Sequence, residues 1–154
     1  MTFERNVRLT RLPEMRLAYM EHTGPAEEIP ELWERFNEWR VTNRPDLGRI
    51  EIAGIGWLIA GDEEDEERVT FRALVPVRSS YEAPPPARTM FFPGGQFAYC
   101  YADDVDETDD AMMAVADWME ANGYEPASGP MQLYKFHYNL DQHPCDCGFL
   151  VEKA

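Results

Sequence analysis

Alternation along a strand sends every second side chain to one face, so the stretch around Gln132 splits into two sets. Gln132, Tyr134, Phe136 and Tyr138 oppose Met131, Leu133, Lys135 and His137. The first set joins aromatic rings to one amide. Rings in a row stack on flat organic molecules, and their negative faces attract organic cations. An amide beside them donates and accepts hydrogen bonds without carrying charge. Trp57 and the tyrosines Tyr19, Tyr99 and Tyr101 extend this chemistry into the rest of the chain. Tyr19, Trp57, Tyr99, Tyr101, Gln132, Tyr134 and Phe136 therefore form the candidate ligand-binding set. Any one of these rings would serve equally as core filling between sheet and helix. It is their gathering on one strand parity that points to a groove.

Other chemistries find weaker support. "HYNLDQHPCDCGF" brings His137, His143, Cys145 and Cys147 close in sequence, and such side chains can hold zinc. The spacing is irregular and Cys-x-Cys lacks the two-residue gap of a knuckle, so the segment reads as a hairpin loop and no metal is expected. "FPGGQ" leads into a strand with no Walker-type lysine, so it is not a phosphate loop. No Gly-x-Ser-x-Gly occurs, and Ser128 sits in a turn without an evident basic partner, so no catalytic residue is assigned. "DEEDEE", Asp62 to Glu67, reads as a solvated hairpin tip, with mimicry of a phosphate run as the alternative.

The elements that must position these residues come in two copies. "LPEMRLAY" from Leu12 returns as "FPGGQFAY" from Phe92, with Pro13 and Pro93 in matching places and Ala18-Tyr19 over Ala98-Tyr99. Leu32, Trp33, Phe36 and Trp39, at helical spacing, align with Ala111, Met112, Val115 and Trp118. "GIGWLIAGD" aligns with "LYKFHYNLD" at a shift of 79, which sets Phe136 over Trp57 and Tyr134 over Ile55. Each copy reads as strand, helix, strand, strand. In the first, residues 7 to 22 are extended and broken at Pro13, a helix carries apolar positions 29 to 39, and a hairpin pairs 51 to 60 with 68 to 77. In the second, the strand spans 89 to 101, the helix 105 to 122, and the final strands 130 to 139 and 147 to 153. Acids in the helix's first turn and Gly123 past its end suit the two termini.

The expected fold class is α+β, a single domain over 1–154 with repeat halves at about 1–78 and 88–154 joined by the Pro-rich "SSYEAPPPAR". The modules pair about a pseudo-twofold axis into an antiparallel sheet. Both helices lie on one face, the other face stays open, and a central ligand groove runs between the modules. Ala18 and Ala98 let a helix pack close, which sends Tyr19, Tyr99 and Tyr101 to the opposite face.

Composition narrows the partners. Lys and Arg number 14 against 29 Asp and Glu, a net charge of -15. Such a surface repels phosphate backbones and favours cations, so direct nucleic-acid binding is excluded. No run of about 18 apolar residues is present and the N-terminus lacks the apolar segment of a secretion signal, so neither membrane nor export is expected. The three cysteines, Cys100, Cys145 and Cys147, suit reduced thiols in the cytoplasm.

Taken together, "LPEMRLAYMEHTGP", "GIGWLIAGD", "FPGGQFAY" and "PMQLY", in this order and spacing, resemble the GyrI-like (DNA-gyrase-inhibitory-protein-like) small-molecule-binding family. That family includes the effector-binding domains of AraC- and MerR-type multidrug regulators. The resemblance implies paired strand-helix-strand-strand modules around a groove for hydrophobic, often cationic, molecules. It also implies an acid two residues before the tyrosine of "PMQLY" that faces a bound cation. This chain has Gln132 there, which hydrogen-bonds without charge. The first strand begins by about residue 7, leaving no room for a helix-turn-helix, so a stand-alone binder is expected: a protein that captures a hydrophobic, flat ligand, cationic or neutral, without a cofactor. Two rivals follow from the same resemblance. One is a hydrolase of strained cyclopropane-containing genotoxins, in which Glu21 or Glu51 would have to activate water. The other is an acidic protein that interacts with DNA gyrase. The charge balance predicts that micromolar protein does not retard duplex DNA in a mobility-shift assay at low salt, where weak electrostatic binding is strongest; retardation there would overturn the exclusion.

Overall fold

The computed structural model describes residues 6–43, 54–61, 68–127, 132–136 and 144–154. Strand β1 (Val7–Leu12) stops at Pro13 and β2 (Met15–Pro25) continues beyond it. The second copy does the same at Pro93, between β5 (Arg88–Phe92) and β6 (Gly95–Ala102). Proline offers no N–H to a ladder, so each extended run bends there. The bend changes partners. β1 pairs with β6 of the other copy, and β5 pairs with β2. Each repeat thus lends its first half-strand to its mate, an exchange that local sequence pattern does not show.

The remaining strands are β3 (Gly54–Gly61), β4 (Arg68–Val77), β7 (Tyr124–Pro126), β8 (Gln132–Phe136) and β9 (Cys145–Lys153). They complete an antiparallel sheet in the order β1-β6-β9-β8-β3-β4-β2-β5, with β7 beside β9. The sheet curls into a half-barrel. β3 and β8 pair at its middle, joining the two copies a second time. The short β7 is an addition to the sequence-based reading.

Helix α1 (Ile29–Asn43) buries Leu32, Trp33, Phe36 and Trp39, a stripe at 3.6-residue spacing, and Pro30 in its first turn has no helical N–H to lose. Helix α2 (Thr108–Asn122) buries Ala111, Met112, Val115 and Met119 and exits through Gly123 at φ 74°. Trp118, expected in that stripe, lies on its flank and stacks on Tyr124 at 5.1 Å. The helices close alike: Asn43 Nδ2 donates to the Trp39 carbonyl at 2.9 Å and Asn122 Nδ2 to that of Trp118 at 2.8 Å. Among the described residues, no helix is long and apolar enough to cross a membrane.

Two cores lie on the two faces of the sheet. The helix side gathers both helix stripes with Ala18, Ala73, Val75, Ala98 and Cys147. The opposite face, expected to be open, is itself packed: Leu17, Leu74 and Phe97 are fully buried there with Ile55, Trp57 and Leu133. Curling is the reason. It brings Leu12, Met15 and Phe92 from the two proline corners under the sheet, where they cover that face.

The corners touch where Gly94, at φ 82°, lies against the other bend. A Cβ on Gly94 would stand 2.7 Å from the Leu12 carbonyl oxygen and 3.0 Å from the Glu14 nitrogen. Gly123 has a similar φ of 74° but nothing within 4 Å of its Cβ position. Alanine at Gly123 should therefore cost only the left-handed conformation, about 1 kcal/mol, and alanine at Gly94 should cost about 2 kcal/mol more because backbone must move. Urea denaturation of the two variants measures the difference; equal losses would mean that the corners do not constrain each other.

Candidate functional site

Helix α1 rests mainly on β2 and β4, and α2 on β6, β9 and β7. The central strands β3 and β8 therefore form a floor between the helices. Side chains on the helix side of this floor are fixed by register. One row across the sheet reads Ala73, Gly56, Tyr134, Cys147, Cys100, and the next includes Phe71, Leu58 and Gln132. Tyr134 thus has glycine on one side and a small thiol on the other. Its ring centroid lies 6.4 Å from that of Phe71, which in turn meets Trp33 of α1 at 6.2 Å.

The polar contact on this floor is short. Tyr134 Oη donates to Gln132 Oε1 at 2.7 Å. That leaves the Gln132 amide N–H groups as the donors of an uncharged site. Burial first, then the nearby Cys147, Cys145 and Asp109, pushes the Tyr134 phenol well above its ordinary value of 10.0. Beneath, Cys147 Sγ donates to the Cys100 carbonyl at 3.5 Å. The Cys145 thiol is likewise pushed up, first by its hydrogen bond with Cys147 and then by burial. All three cysteines are buried, the setting of structural thiols. Among the described residues, no group of three or more His, Cys, Asp and Glu is arranged to hold a metal ion; His137 and His143 lie outside them.

The sequence-derived set is divided by the sheet. Gln132 and Tyr134 face the helices, whereas Tyr19, Trp57 and Tyr99 belong to the opposite core, and Tyr101 is exposed with its hydroxyl 3.1 Å from Asp103 Oδ1. Phe136 pairs with Gly54 and Cys145 through its backbone, and its side chain lies outside the described residues. Trp57 and Tyr134 do not share a face, which corrects the alignment at 79. Ala18 pairs with Val75 and Ala98 with Phe149, so Leu74 corresponds to Gly148, and their partners Ile55 and Leu133 correspond in turn. Leu133 follows Ile55 by 78 residues, and Gly56, not Ile55, is the mate of Tyr134. A one-residue error in a period of two turns every side chain over. Asp62 and Asp141, which anchor the longer shift, lie outside the described residues. Phe71, Leu58 and Gly56 were not in the set; the alternation of Gly56 against the bulky Ile55 and Trp57 is the signal that marks them.

A family model described as the GyrI-like small molecule binding domain matches residues 5–132. The fold is similar to EcmrR in its DNA complex, at TM-score 0.75 and 13% identity over 98% of this chain; this chain spans 59% of that one. It is similar to SAV2435 bound to tetraphenylphosphonium, at TM-score 0.67 and 12% identity over 96% of this chain and 94% of that one. A hydrolase from Listeria innocua gives TM-score 0.69 and 10% identity over 97% and 93%. No curated protein sequence matches the chain.

The raised Tyr134 phenol carries a sign for pH. A group that holds its proton more tightly when folded contributes stability that is complete below the unfolded value of about 10 and is lost as pH rises past it. Tyr134→Phe should be less stable than wild type by about 1 kcal/mol at pH 8, from the lost hydrogen bond, and the gap should narrow above pH 10. Denaturant midpoints at pH 8 and pH 11 check it; a constant gap would show that Tyr134 is not held protonated.

Proposed function

Because the chain belongs to the GyrI-like small molecule binding domain family, we propose that it captures a hydrophobic, flat molecule, cationic or neutral, in the cleft between α1 and α2 over Tyr134 and Gln132. The observation that carries this reading is the 2.7 Å pair of Tyr134 and Gln132 on a floor between the helices, half-buried and bordered by Gly56 and Cys147. Phe71 and Leu58 supply apolar walls beside it. A ring entering this space stacks or meets edges with Tyr134, and the Gln132 amide turns toward whichever polar atom the ligand offers.

The floor is neutral while the chain carries -15. Cations are drawn in by the field of the whole surface and are not selected by a carboxylate at position 132. The bound tetraphenylphosphonium of SAV2435 supports a cation as one class of ligand. The hydrolase reading has a Listeria innocua structural neighbour in its favour. Against it, Glu21 lies on the opposite face, bound to Arg72 at 2.9 Å, and Glu51 lies outside the described residues. Binding is the reading this arrangement supports. Gyrase as a partner rests on Asp62 to Glu67, also outside the described residues.

Gln132→Glu should tighten binding of a planar dye cation by about tenfold, as an added carboxylate on a partly dry floor would, and should leave its uncharged isostere unchanged or weaker through the cost of desolvating the new charge. Tryptophan quenching follows the titration, with Trp33 as the nearby reporter through Phe71. Equal shifts for both ligands, or none, would remove Gln132 from the binding site.

A further inference from the structure

The sheet face turned away from the helices carries a second recess. Its volume is about 280 Å³, and Tyr19, Met20, Glu21, Arg72, Pro86 and Arg88 line it. Two arginines meet here in a chain with only 14 basic residues against 29 acidic ones. Strand register brings them together: Arg72 of β4 lies opposite Glu21 of β2, and Arg88 of β5 lies opposite Tyr19 of the same strand.

The Arg72 side chain is held on three sides. Its Nε donates to Glu21 Oε1 at 2.9 Å, its Nη1 reaches Met90 Sδ at 3.4 Å, and its guanidinium sits over the Tyr19 ring at 4.4 Å from the centroid. Among the described residues, Nη2 has no partner. Fixing a guanidinium in advance removes much of the entropy that ligand capture would otherwise cost. Arg88 is exposed and has no hydrogen-bond or ion-pair partner among the described residues. On the other side of Arg72, the buried indole N–H of Trp57 also has no acceptor among them. The two guanidiniums that line the recess leave one positive charge beyond Glu21.

We propose that this recess binds a small organic carboxylate, gripped between Arg72 and Arg88. Glu21 already occupies one edge of the Arg72 fork, and a ligand carboxylate takes the free Nη2 edge while Arg88 closes from β5. Charge-assisted pairs of this kind are directional and favour planar carboxylates. The site is separate from the cleft over Tyr134, because the sheet lies between them.

Malonate is a suitable probe, with the uncharged malonamide as its control. Isothermal titration at low salt should show malonate binding to the wild-type protein and malonamide not binding. Arg88→Gln should weaken malonate by at least about tenfold without unfolding the chain, since Arg88 is exposed and unpartnered, and Arg88→Lys should recover part of the loss. Gln132→Ala, on the other face, should leave malonate affinity unchanged. Absence of malonate binding at millimolar concentration, equal binding of malonamide, or equal affinity in Arg88→Gln would overturn the proposal. A loss in Gln132→Ala as large as that in Arg88→Gln would also overturn it, by placing the anion in the cleft.

Discussion

Everything in this fold hangs on the exchange of half-strands at Pro13 and Pro93. β1 completes the sheet of the second repeat and β5 that of the first, so the register of each half is set partly by the other. The exchange is possible only because the two bends pass in contact, with Gly94 against the Leu12 carbonyl. From that crossing follow the continuous sheet, its curl, and the packed core beneath it. The helices are then seated on the outer strands of each half, on either side of the β3–β8 seam.

Much of this was legible in the residues. Pro13 marks the first bend, the Leu32–Trp39 stripe gives the first helix, and β4 over 68–77 is read to the residue, whereas the bend at Pro93 divides a run expected as one strand over 89–101. These signals are local, because a bend or an amphipathic stripe is encoded in the residues that form it. Partnership between strands is not local. Nothing in β1 says that its neighbour is β6, and the burial of Trp57 depends on a curl that only the whole sheet produces. The choice of face was equally fragile. Gln132 and Tyr134 do share one side, as alternation requires, but which side is decided by a registration that one residue inverts.

The two faces differ in electrical character more than the overall composition suggests. The helix side offers an amide and a phenol whose ionisation is suppressed, with the buried Cys100, Cys145 and Cys147 nearby and the Cys145 thiol pushed up. The far side carries guanidiniums ordered by Tyr19, Glu21 and Met90. A strongly acidic chain therefore concentrates positive charge on one surface and leaves an uncharged floor on the other. The sheet between them keeps the two environments apart, since Ile55, Trp57 and Leu133 are buried on its far face behind the half-buried Tyr134 and Gln132.

Gly56 and Tyr134 are mates under the pseudo-twofold relation, and they also face each other across the β3–β8 seam. In an assembly of two identical chains, those positions would have to match. Two tyrosines would crowd each other at the centre of the floor, and two glycines would leave it without a ring. Linking the halves in one polypeptide frees the pair from that identity: one mate contributes the aromatic surface and the other the room to approach it. Covalent linkage of the halves permits a lopsided surface on a balanced scaffold, and the asymmetry sits at the axis itself, where strict symmetry would forbid it.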